Sequence, residues 1–101
     1  MEQIERIQHF EALLDRVAPV LGNLEEALDA FDDIQGDVQE LAAYYEDDAW
    51  REDFEADETG KLPADLKRGV LSEDGIYDVL SGHYALTVRL LDTVSAILKN
   101  R

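Results

Sequence analysis

The sequence predicts an all-α protein: a long N-terminal helix packed antiparallel on a C-terminal helix, joined by an irregular or short-helical connector. That makes a helical hairpin or a three-helix bundle. Three observations predict it. An unbroken heptad phase runs through the first 45 residues, a second apolar seam runs from Ile76 to Ile97, and no segment alternates apolar and polar as a half-buried strand would. The 101 residues suffice for one domain, with the first helix over about 2–46, the connector over 47–72 and the last helix over 73–99.

The first helix rests on its phase. With Ile7, Leu14, Leu21, Leu28, Gln35 and Ala42 at position a, the d positions hold Phe10, Val17, Leu24, Phe31, Val38 and Tyr45. Leu13, Val20, Ala27, Ile34 and Leu41 fall at g, which widens the apolar face to that of a bundle helix. Glu11, Asp15, Glu25, Glu26, Asp29, Asp32, Asp33 and Glu40 occupy the rest. Pro19, Gly22 and Gly36 lie on the polar side. Because the phase continues past each, they read as bends, with a true break near Gly36 as the alternative. Unbroken, such a helix is roughly 65 Å long at 1.5 Å per residue.

In the connector, Asp47 or Asp48 is placed to cap a short helix that carries Trp50 and Phe54 on one face. Thr59-Gly60 and Leu62-Pro63 are turn signals, and Pro63 to Leu66 reads as one helical turn ended by Gly69. Ser72 or Asp74 caps the last helix. Its seam is Ile76, Leu80, His83, Thr87, Leu90, Val94 and Ile97, flanked by Val79, Tyr84, Leu86, Leu91 and Leu98.

Charge narrows the function. The net charge is −15. Residues 1–46 carry 12 acids and 2 bases, residues 47–75 carry 10 and 4, and residues 76–101 carry 2 and 3. A polyanion repels phosphate backbones and anionic lipid, so neither nucleic acid nor membrane is an expected partner. No apolar run approaches the ~20 residues of a membrane span, and the N-terminus does not read as a signal peptide. The expected location is the cytoplasm. Without cysteine there is no disulfide framework and no thiolate metal site.

The chemistry-bearing patterns are thin. Glu55, Asp57, Thr59, Gly60 and Leu62 echo a calcium-binding loop, but Leu66 stands where a bidentate Glu belongs. Arg6 and Leu80 precede His9 and His83 by three, so the Glu-x-x-His of di-iron bundles is missing. His83 on an apolar seam reads as a core histidine. Ser72, Ser81 and Ser95 lack a nucleophile elbow, and there is no phosphate-binding glycine loop. The expectation is a non-enzymatic interaction or structural protein with no cofactor and no metal; an acidic mimic that binds a basic protein surface is one alternative, and a small calcium binder or enzyme another. The acids are too abundant for any pair of them to mark a catalytic site.

The richest stretch runs from Trp50 to Tyr77. Trp50, Arg51, Phe54, Lys61, Lys67 and Arg68 are the candidate partner surface, since Trp and Arg anchor many interfaces. The competing reading has Trp50, Phe54, Leu62 and Leu66 covering the helical pair, with the bases answering nearby acids. The first helix outreaches the last, so its apolar stripe needs further cover. A second copy of the chain supplies that cover as a homodimer; another protein is the alternative.

The same stretch carries a resemblance. The run Trp50 to Glu58, then Gly60-Lys61-Leu62-Pro63, then Asp65-Leu66-Lys67-Arg68-Gly69-Val70-Leu71-Ser72-Glu73-Asp74-Gly75-Ile76-Tyr77-Asp78, resembles a family of short bacterial proteins catalogued only as a domain of unknown function. The likeness spans nearly the whole chain. It implies a bacterial, cytoplasmic, helical protein with an acidic helix before the motif and another helix after it. It brings no substrate, cofactor or catalytic residue.

Overall fold

The computed structural model describes residues 2–101, which form helices and turns; none of them lies in a strand. Glu2 opens α1 (Gln3–Asp33), its carboxylate accepting from the Ile4 N–H at 3.0 Å. Such a cap satisfies one of the donors that a helix N-terminus leaves unpaired. The helix runs through Pro19 and Gly22 without interruption, as the continuous phase predicts.

It stops sooner than expected. The helix predicted to reach residue 46 ends at Asp33, with Ile34 as a one-residue turn before α2 (Gln35–Glu46). The break lies two residues before the Gly36 alternative, and Gly36 itself sits inside α2. Asp29, Asp32 and Asp33 crowd the negative end of the helix dipole, and no base occupies that last turn. The Phe31 carbonyl accepts from the Gln35 side-chain amide at 2.8 Å. The chain accordingly divides into two units, residues 1–36 and 37–101.

The first unit is essentially α1. No residue of α1 is buried, and its apolar stripe is exposed almost throughout.

The second unit is α2, α3 (Asp48–Glu58), a 3-10 turn at Gly69–Leu71 and α4 (Gly75–Lys99). Asp47 caps α3 through its side chain, bonding the Ala49 N–H at 2.9 Å. The other end of α3 closes on Gly60, whose φ of +72° suits a residue without a Cβ. There the Lys61 N–H reaches the Ala56 carbonyl at 2.9 Å and the Gly60 N–H reaches that of Asp57 at 3.1 Å. These are the paired bonds of a Schellman cap. Pro63 to Leu66 makes a single turn closed by Leu66 N–H to the Pro63 carbonyl, not the expected helical turn. Gly69, expected to end that turn, begins the 3-10 turn.

The 3-10 turn is the hub, packing against both α3 and α4. It contributes Leu71, 5% exposed, which with Ile76 of α4 at 3% forms the small core. The last helix starts two residues later than expected. Of the two predicted caps, Asp74 holds the cap position without a side-chain bond, while the Ser72 hydroxyl accepts from the Gly75 N–H at 3.0 Å and donates to the Gly69 carbonyl at 2.8 Å. Gly75 sits so close to this hydroxyl and carbonyl that a Cβ would collide with both.

Candidate interaction surface

The six candidate surface residues separate into two sets. Trp50, Phe54 and Arg68 turn inward and are half-buried; Arg51, Lys61 and Lys67 are exposed. The inward set clamps the connector onto α3. Four residues apart on one helical face, Trp50 and Phe54 stack with ring centroids 5.2 Å apart, and Tyr45 meets the indole edge-on at 5.0 Å. The indole N–H donates to the Val70 carbonyl at 2.8 Å, so the ring is held at its polar tip as well as its faces.

Arg68 makes the second clasp. Its guanidinium pairs with Asp57 near the end of α3 and donates to the carbonyls of Pro63 at 3.3 Å and Ala64 at 3.1 Å. One planar fork thus fixes a loop that has few regular backbone bonds of its own.

Tyr44 and Asp53 make a third link, from α2 to α3, with the phenol donating to the carboxylate at 2.6 Å. Burial pushes the phenol pKa up from 10 to about 12, and the hydrogen bond to Asp53 and its negative charge add to the shift. Tyr44 and Asp53 also line a groove of about 230 Å³ with Leu62, Leu66, Lys67, Val70 and Leu71.

The sequence pattern missed Tyr44, Asp53 and the role of Asp57. Tyr44 neighbours the expected d-position residue Tyr45, so the seam drew notice away from it. Asp57 was visible only within the calcium-loop echo. In the structure that echo spans the last turn of α3 and the cap and loop that follow it: Asp57 is held by Arg68, and the Thr59 hydroxyl donates to the Glu55 carbonyl at 2.9 Å. Among the described residues no three of His, Cys, Asp and Glu gather as a metal-holding group. His83 is half-buried, and its carbonyl accepts from the Thr87 hydroxyl at 2.8 Å.

Large apolar side chains are the main feature of the exposed surface. Along α1 the six a and d residues from Ile7 to Leu24 are 47–60% exposed. Along α4, Tyr84, Leu91 and Leu98 are 62–72% exposed. No helix among the described residues is long and apolar enough to cross a membrane.

Trp50, Phe54, Asp57, Arg68 and Val70 of the clasps all lie in the run that carries the resemblance, and a family model named Domain of unknown function (DUF4298) matches residues 7–93. The chain belongs to that family. No curated protein and no solved structure matches it. The family's match spans α1 from its second turn through most of α4, so the clasped connector and both long helices are parts of one family unit in sequence.

Proposed function

We propose that this protein is a non-enzymatic interaction module, acting in the cytoplasm and associating with itself through apolar helical seams. The observation that carries the reading is the apolar surface that α1 and α4 both leave exposed. Ile7, Phe10, Leu14, Val17, Leu21 and Leu24 keep one heptad phase over more than two heptads, and none is buried. Soluble proteins seldom leave so long a contiguous apolar surface open unless it meets a partner. The clasped connector supports the same reading. Trp50 and Arg68 are engaged within the chain, and the apolar surface on offer lies along the long helices.

Solution mass by light scattering after size exclusion, at low and high salt, tests this. A dimer that persists at high salt is the expected result, since apolar burial holds or strengthens there. A monomer at high protein concentration overturns self-association.

A second reading has one specific observation behind it: the eight acids of α1, against two bases, are all exposed. An acidic helix of this kind suits a basic protein surface, one that normally holds nucleic acid. Such binding collapses as ionic strength rises, which separates it from association through the seam.

A further inference from the structure

We infer that the self-associating face is α4, paired antiparallel with α4 of a second copy. This rests on the self-association just proposed and names its partner surface. The most exposed large residues of α4 recur every seven positions: Tyr77, Tyr84, Leu91 and Leu98. Leu80, Thr87 and Val94 fall between them, giving the alternating three-and-four spacing of a coiled-coil seam.

With Tyr77 at position a, all four charged residues of the helix, Asp78, Arg89, Asp92 and Lys99, fall at the outer positions b and f. The flanks beside the seam hold Ile76, His83, Leu90 and Ile97 on one side and Ser81, Val88 and Ser95 on the other. No charge lies on the face itself. Its match is an uncharged apolar helix, and a second α4, with two acids and two bases, is one. The α1 helix is a poorer match, because Glu11, Glu25 and Asp32 line one flank of its seam and α4 has no flanking base to meet them.

Charge also sets the direction. Each copy carries 10 acids against 4 bases in residues 47–75, just before α4. A parallel pair would bring these segments together; an antiparallel pair puts them at opposite ends and opposes the helix dipoles. Centred on Arg89, the antiparallel register sets the a residues Tyr84, Leu91 and Leu98 against d residues of the second copy, and Tyr77 lies past the end of that copy's helix. Leu91 meets Thr87, Tyr84 meets Val94, and Leu98 meets Leu80, so bulky side chains face smaller ones in the inner layers. Thr87 fits an apolar seam because its hydroxyl is already bonded to the His83 carbonyl.

The test compares two exposed substitutions by light scattering, with helix content checked by circular dichroism. L91E is expected to convert a dimer of twice 11.4 kDa to a monomer, whereas L14E in α1 leaves the dimer intact. A dimer lost in L14E overturns the inference but not the self-association beneath it; a monomeric parent chain overturns both. Because the chain has no cysteine, R89C and K99C each take one nitroxide label per copy. In the antiparallel register the labels at 89 lie level with each other, and those at 99 are offset by roughly 30 Å along the axis. Equal short distances at both positions in a dimer would overturn the antiparallel arrangement.

Discussion

Trp50 and Val70, twenty residues apart in sequence, are joined by a 2.8 Å hydrogen bond from the indole N–H to the backbone carbonyl. This bond ties the 3-10 turn to α3, and the same turn supplies Leu71 to the core. Trp50→Phe keeps the stacking on Phe54 and leaves the Val70 carbonyl without its donor. The expected cost is about 1–2 kcal/mol of unfolding free energy. Trp50→Ala also removes the ring and costs about 2–3 kcal/mol, below the range for a fully buried ring because Trp50 is half-exposed. Urea unfolding followed by circular dichroism reads both. Equal stability of Trp50→Phe and the parent chain would remove the hydrogen bond from the account.

Tyr44 gives a pH signature. Its phenol is protonated in the clasp, and the folded pKa of about 12 lies above the ordinary 10. Between these values the folded state binds the proton more tightly than the unfolded state. The contribution is therefore complete below pH 10 and is lost as pH rises through 12. Asp53→Asn removes the negative charge and weakens the hydrogen bond, while the burial that contributes most remains. The tyrosinate absorbance of Tyr44, taken as the difference from a Tyr44→Phe variant, is expected to titrate lower in Asp53→Asn but still above 10. An unchanged titration would mean that Asp53 does not act on the phenol.

The helical class was legible because heptad phase is a local signal, and Ile7 to Leu28 keep it. The caps were legible too: Asp47 and Ser72 are residues whose short side chains reach nearby N–H groups. The end of α1 at Asp33 was not, since apolar phase passes through Ile34 unchanged. At that point acids crowd the negative end of the helix dipole and a side-chain amide bonds the Phe31 carbonyl. Neither shows in a hydrophobic pattern. The clasp was half legible. The spacing of Trp50 and Phe54 put them on one face, but Arg68 to Asp57 and Trp50 to Val70 are contacts across a loop whose course the sequence does not encode in any periodic way.

Arg68 tests whether the loop depends on a fork or on a charge. Lysine can pair with Asp57, but it lacks the planar set of donors that also reaches Pro63 and Ala64. Arg68→Lys is expected to cost about 1 kcal/mol, a modest value because the ion pair is partly exposed to solvent. Hydrogen exchange should quicken across residues 61–68 and stay unchanged in α1. Retained protection in the loop would show that charge alone suffices.

Gly75 and Gly82 lie seven residues apart in the same helix, yet alanine should act on them in opposite directions. A Cβ at Gly75 meets the Gly69 carbonyl oxygen and the Ser72 hydroxyl, the two groups that organise the start of α4. Relief requires the 3-10 turn to move, and Leu71 and Ile76 of the core flank that junction. The expected cost of Gly75→Ala is about 1–3 kcal/mol, the usual range for overpacking. At Gly82 nothing lies within 4 Å of an added Cβ, and the residue is exposed in a helix interior. There alanine reduces the backbone freedom of the unfolded chain without strain, so Gly82→Ala should stabilise by about 0.5–1 kcal/mol. Thermal unfolding of the two variants side by side decides the matter. If both shift the midpoint the same way, the close approach at Gly75 is not what sets the entry to α4.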